Sequence, residues 1–358
     1  MGSRSEPSPP RLYLRSFYAG RGMLGFSKSY AFILWFVFGG ALVGFILARL
    51  QYLDIDGRFC PRVPASDGST GFPSACYWVV HFKRYRAGMI LHLSTSLPAG
   101  LLAVFQFVPG IRHRAITYHR IAGYTAITLA VVGNVGALMI ADTAMGGDMA
   151  TRAFVGLVAL VTTATFGMAV YNVRRQQLDG HRAWMLRTWA YLGFIVSLRI
   201  LQAIMTAVST RWPSASRPVA IPCAELRYIY LADESREGGR VAPSAFDAFD
   251  GMYPACKETG TGPGIDTALV AVESRLGNDR GQTAAVLMST FVAAGILALI
   301  LHAVVVEIYL NLTPAETERL RRVSYERQLE RGYKNPGSAG IVAQRFGDAH
   351  PWAPLEAT

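Results

Sequence analysis

Histidine, arginine and glutamine set inside otherwise apolar runs are the residues of this chain with the means to do chemistry. The stretch from His181 to Arg199, HRAWMLRTWAYLGFIVSLR, is apolar enough to enter a membrane yet carries His181, Arg182, Arg187 and Arg199. A helix turns about 100° per residue, so positions 181 and 199, eighteen apart, point the same way. Trp184, Thr188 and Gln202 fall near that direction, while Leu186, Phe194 and Leu201 point largely away. Ionisable side chains within a bilayer face a bundle interior or a watery cavity, because lipid exposure is costly. One face of this segment is therefore expected to line something polar.

Other apolar runs supply matching surfaces. His92, Thr95, Ser96, Ala99, Ala103 and Gln106 share one helical side, and His119, Gly123, Ala126, Ala130, Gly133 and Ala137 form a stripe of small residues. Such stripes let helices approach closely, so packing is the first reading of the second set. Sorting by depth gives two expected pockets, one with His119, His181, Arg182 and Arg187, the other with His92, Arg199 and Gln202. His302 lies about 12 Å inward from Leu310. Two histidines at one depth on neighbouring helices are the ligand set for haem b, and Gly123 is expected to leave room for the macrocycle. In the haem-free alternative, Arg199, Arg187 and His92 anchor an acidic or carbonyl group, with Gln202 as a further candidate in the same site, and His92 moves a proton near neutral pH. Metal-site, nucleotide-loop and hydrolase motifs are absent from the sequence, and Asp142 and Asp148 are too isolated to read as a metal site.

Those side chains need elements to hold them. The chain has 358 residues, 51% hydrophobic and only 16% charged, with a mean hydropathy of +0.26. Soluble domains carry about a quarter charged residues, so the composition points to a membrane protein. The net charge of +11 fits bases flanking apolar spans and facing anionic headgroups, rather than nucleic acid. Six runs reach the length a spanning helix needs, at 31–50, 88–108, 121–141, 154–173, 183–208 and 284–310. The expected architecture is an all-α, six-span bundle over 31–310, behind a disordered basic arm over 1–30. Two long loops, 51–87 and 209–283, emerge on one face. The tail over 311–358 opens with one charged helix, capped by a box of Thr313 and Glu316 with Pro314 in its first turn, and then turns flexible. Pro98 is a candidate helix break.

Arg4, Arg11, Arg15, Arg21 and Lys28 precede the first run, and Arg112, Arg114, Arg174, Arg175 and Arg319 fall on the same side. The positive-inside rule makes that side, and both termini, cytosolic, although Lys83, Arg84 and Arg86 oppose it. All the cysteines lie in the two long loops: Cys60 and Cys76 in the first, Cys223 and Cys256 in the second. Disulfides need an oxidising compartment, so these loops form an extracytosolic cap in the endoplasmic reticulum or plasma membrane. Three connectivities are open, the local one being Cys60–Cys76 with Cys223–Cys256.

The segment LHLSTSLPAGLLAVFQFVPGIRHRAITYHRIAG, read with HRAWMLRTWAYLGFIVSLRIL, resembles the membrane proteins grouped as domain-of-unknown-function family 2306. His181, Arg182, Trp184, Met185 and Arg187 with the later Arg199 carry the likeness, supported by His119, Arg120 and Gly123. It spans roughly 88–205, and the Cys-containing insertion before a sixth span looks like larger fungal versions. The resemblance implies a multi-pass helical core and brings no activity. The paired histidines are also similar to those of ascorbate-dependent transmembrane cytochromes b, although the second haem of those proteins would be missing. Three functions therefore compete: a haem b redox protein, leading on coordination geometry; a haem-free cyclase, isomerase or transferase acting on a lipid or apolar metabolite; and a transporter or structural membrane protein. The bilayer is the one partner implied directly. Oligomeric state is not legible.

Overall fold

The computed structural model describes residues 22, 24–60, 73–212, 217–231, 236–237, 240–241, 243–257, 268–277, 279–350, 352 and 354. The arm expected over 1–30 falls outside them up to residue 21 and at residue 23. Six helices among the described residues are long and apolar enough to cross a membrane. These are α1 (Ser29–Leu53), α3 (Lys83–Gln106), α5 (Ile116–Ile140), α6 (Met149–Arg174), α7 (Leu178–Arg211) and α10 (Arg280–Asn311). Shorter helices are α2 (Pro73–His81), α4 (Pro109–Arg114), α8 (Cys223–Leu231), α9 (Pro243–Met252), α11 (Pro314–Glu330) and α12 (Ala343–Phe346). The chain is an all-α polytopic membrane bundle with a disulfide-bearing cap. It divides into two compact units, one of residues 1–51 and 93–133, the other of 52–92 and 134–358.

The helices overrun the apolar runs at several ends. α3 starts at Lys83, taking in residues expected in the first loop, and stops at Gln106 rather than Val108. Val108 is extended (φ −79°, ψ 113°) because it precedes Pro109, whose ring disfavours the helical conformation there. Pro98 lies within an uninterrupted helix, so the break expected at that residue is not present.

In the first unit the small residues pack as the sequence suggests. Ala99, Ala103, Ala126 and Ala130 are buried, and a Cβ added at Gly133 would stand 2.3 Å from the Ser96 hydroxyl. Trp35 donates its indole N–H to the Val104 carbonyl at 2.9 Å. In the second unit, Gly136 admits the backbone of His92 so closely that a Cβ would lie 2.5 Å from its amide nitrogen.

The cap belongs to the second unit. Cys60 pairs with Cys76 and Cys223 with Cys256, the local connectivity. Strands β1 (Val219–Pro222) and β2 (Leu269–Val272) pair antiparallel, with Val219 opposite Val272. Behind them Ile221, Leu226, Ile229, Phe249, Tyr253 and the second disulfide form a core that continues onto Ala284, Ala285 and Met288 of α10. Asp279 caps α10 by accepting from the Gly281 amide at 2.9 Å. Glu225 of α8 joins the two loops: its carboxylate accepts from the Ser74 hydroxyl, and from the Trp78 indole at 3.1 Å. Both loops therefore lie on one face, as an even number of spans requires.

The opposite face carries the tail. The expected capping box is not formed: the Thr313 hydroxyl donates to the Tyr309 carbonyl at 3.0 Å, and Glu316 pairs with Arg319 at 2.7 Å. The segment after α11 is held rather than loose. Gln177 and Gln328 are fully buried and bond each other at 3.1 Å. Gln328 accepts from the Gly337 amide, Gln177 from that of Gly340 and Asn172 from that of Ile341, at 2.7, 3.2 and 2.9 Å. The flexible end expected from the polar composition is thereby corrected over 337–346, because buried amides of the α6–α7 turn supply its hydrogen-bond partners.

Candidate functional site

Contacts between α7 and α10 run along both helices within the second unit, but they involve the expected polar face only at its Gln202 end. His181 meets the Ala169 carbonyl of α6, and Arg187 and Ser197, which do reach α10, lie well round the helix from that face. Arg187 binds Glu307 through two hydrogen bonds, Nε to Oε1 at 2.6 Å and Nη2 to Oε2 at 2.9 Å. Its guanidinium also lies 4.8 Å from the ring centre of Trp184. One turn closer to the tail, Arg182 donates to the Thr313 hydroxyl at 2.9 Å. Toward the cap, Arg199 donates to the Gln202 carbonyl oxygen at 2.8 Å, and Gln202 donates to the Leu287 carbonyl at 2.9 Å. Thr206 and Thr290 are 3.4 Å apart. Partners near the tail end of α7 are Thr313 and Glu307 and those near its cap end are Leu287 and Thr290, as antiparallel helices demand. Beside the cap-side contacts, Phe154, Phe194, Leu198, Phe291 and Ala298 form a buried apolar cluster.

Midway along the seam stands a pair that the sequence does not announce. The His302 imidazole contacts the Ser197 hydroxyl through Nε2 at 2.9 Å and the Ala190 carbonyl through Nδ1 at 2.8 Å. A carbonyl only accepts, so Nδ1 carries the proton. In the neutral ring Nε2 is then bare, and Ser197 donates to it. Gly193 is one turn before Ser197 on α7, and a Cβ there would lie 3.7 Å from His302 Cε1. With no side chain at that position, the imidazole packs directly beside the backbone of this helix. Ser197 and His302 are both only partly buried. Hydroxyl, bare nitrogen and orienting carbonyl together form a proton-transfer arrangement.

The expected quartet does not gather at one point. Arg199 and Gln202 are in contact, but Arg187 lies twelve residues before Arg199, about 18 Å along the axis, and is engaged by Glu307. His92 abuts Gly136 of α5 through its backbone. The arginines thus meet protein partners; the missed residues are Ser197 and Glu307, while the sequence places His302 by depth but gives it no partner. A carboxylate inside an apolar run was the available signal for Glu307.

The haem expectation rests on His119 and His181, which belong to different units. His181 places Nδ1 2.9 Å from the Ala169 carbonyl, the kind of bond that orients a ligand imidazole. The room expected at Gly123 is not there, however. A Cβ on Gly123 would meet the Gln106 amide oxygen at 3.2 Å, so a neighbouring side chain fills the space assigned to the macrocycle. Among the described residues, no cluster of three or more His, Cys, Asp or Glu could hold a metal ion.

In the cap, burial pushes the Glu225 carboxyl up to about 7, against the pull of the hydrogen bonds from Ser74 and Trp78. Burial, and then the bond to Asp279, raises the Tyr253 hydroxyl. Asp148, left unassigned in sequence, caps α6 by accepting from the Thr151 amide at 2.7 Å. Asp142 accepts from the Tyr85 hydroxyl at 3.2 Å, with Arg84 at 3.6 Å.

Three comparisons bear on this arrangement. No solved structure matches the chain. A fungal relative, Ava biosynthesis cluster protein G of Aspergillus versicolor, is 25% identical over 343 residues, covering 84% of this chain and 94% of that protein. Residues 89–233, which hold α5, α6, α7 and most of α3, match the family described as Predicted membrane protein (DUF2306), the same family that the histidine and arginine motifs resemble.

Proposed function

We propose that this chain is a membrane-embedded enzyme acting without haem on a lipid or other apolar metabolite, with the α7–α10 seam as its reaction site. The observation that carries the reading is the His302 imidazole, held by the Ala190 carbonyl with its other nitrogen on Ser197. An imidazole fixed in this way within an apolar helix pair is suited to moving a proton to or from a bilayer-dissolved substrate. Arg187 with Glu307, and Gln202 with the Leu287 carbonyl, tie the two helices together at either end of the seam and fix their relative height. The likeness to a protein named for a biosynthesis cluster supports a role in making a metabolite.

The test is metabolite profiling of a host that makes the full chain together with the biosynthetic genes beside its own. A product that appears with the wild type and disappears with His302→Gln, at equal membrane abundance, supports the reading. An unchanged product with His302→Gln sinks it. A Soret band in the purified protein that is lost on His181→Ala would replace it with the haem reading.

A further inference from the structure

The geometry points to Ser197 as a nucleophile that takes up an acyl group from a lipophilic ester or thioester, with His302 as its base. This deepens the proposed function and rests on the same seam. Serine hydroxyls are weak nucleophiles until an adjacent base, itself oriented by a third group, accepts their proton. Here the Ser197 hydroxyl is 2.9 Å from His302 Nε2, and the Ala190 carbonyl holds Nδ1 at 2.8 Å. Ser197 and Ala190 both belong to α7, so that helix positions the base from one side and presents the nucleophile from the other.

Gly193 lies beside the pair. It precedes Ser197 by one turn, and its missing side chain leaves the helix backbone bare beside the imidazole. Ser197 lies within the apolar run of a membrane-spanning helix, so the arriving group must be apolar. The location selects an acyl chain dissolved in the bilayer over a charged or water-soluble substrate.

The step balances without an oxidant or reductant. The Ser197 proton passes to His302 Nε2 as Oγ bonds to the acyl carbon. Collapse of that adduct breaks the bond to the alcohol or thiol, which leaves with the proton from Nε2. The acyl-serine then passes to water or to a second apolar hydroxyl, whose proton follows the same route.

The probe is an alkyl fluorophosphonate applied to the full chain in membranes, with the modified residue located by peptide mass. Labelling is expected on Ser197, absent in Ser197→Ala and at least about 50-fold slower in His302→Gln. Gly193→Leu should slow it by covering the imidazole edge. Each variant is compared at matched thermal unfolding, so that loss of label is not loss of fold. No label on folded wild-type protein, or wild-type labelling in His302→Gln, overturns the proposal. Metabolite production that survives Ser197→Ala but not His302→Gln would sink the nucleophile and leave the proton-transfer enzyme standing. Production that survives both would sink the enzyme reading itself.

Discussion

Replacing Glu225 with glutamine should remove most of the pH dependence of the cap. Glu225 is 3% exposed, and its partners are a hydroxyl and an indole N–H rather than a cation. Burial raises its pKa from 4.5 to about 7, so the folded cap holds this proton more tightly than the unfolded loop does. For a carboxyl whose folded pKa is raised, stability is greatest below the unfolded value. It falls as pH rises from about 4.5 to about 7 and is level above that. The full span corresponds to roughly 3 kcal/mol. Between pH 5.5 and 7.5 it amounts to about 2 kcal/mol, or roughly 20-fold in the opening equilibrium. Hydrogen exchange of α2 and α8, corrected for intrinsic rates, reads that equilibrium directly. Wild-type protection should fall roughly 20-fold from pH 5.5 to 7.5, and Glu225→Gln should flatten the change to within about twofold. An equal pH slope in both proteins, or a wild-type cap that tightens as pH rises, would refute the reasoning.

Three further outcomes are expected. Arg187→Met or Glu307→Gln alone should each lower stability in detergent by about 1 kcal/mol, because the pair is only partly buried, whereas exchanging the two residues should recover much of the loss; thermal unfolding of the three variants checks it. Gly340→Ala would drive a Cβ to within 2.3 Å of the Asn172 side-chain oxygen and 2.5 Å of Gln177, costing about 1–3 kcal/mol and exposing the tail to limited proteolysis while the spans stay intact. Removing Cys223–Cys256, which closes a separation of 33 residues, should cost the cap about 3–4 kcal/mol by loop entropy, read as faster exchange throughout α8 and α9.

The spans were legible because a bilayer imposes a length and an apolar composition that stand out in any window. The polar face of α7 was legible for a related reason: the 3.6-residue period sorts His181, Arg199 and Gln202 to one side without knowledge of the neighbour. What that face meets was not. Glu307 and Ser197 become partners of Arg187 and His302 only through the register of α7 on α10, which no single segment encodes. Glu225 and Ser74 lie 151 residues apart, and nothing local in CAELRYIYL marks one carboxylate as buried. The tail misled for a different reason. Gly, Ser and Asn after α11 read as flexible, but in the fold these small residues let the backbone reach the amides of Asn172, Gln177 and Gln328. The haem reading failed to find its room because Gly123 was read as empty space, and Gln106 on the same unit occupies it.

The account stands on the hydrogen-bonded state of one imidazole. Nitrogen-15 NMR of histidine-labelled protein in bilayers at pH 8, assigned by the signal lost in His302→Gln, reports which ring nitrogen holds the proton. The proton is expected on Nδ1, with Nε2 bare and its shift moved by Ser197→Ala. A proton on Nε2, or a shift indifferent to Ser197, would contradict the proton-transfer seam.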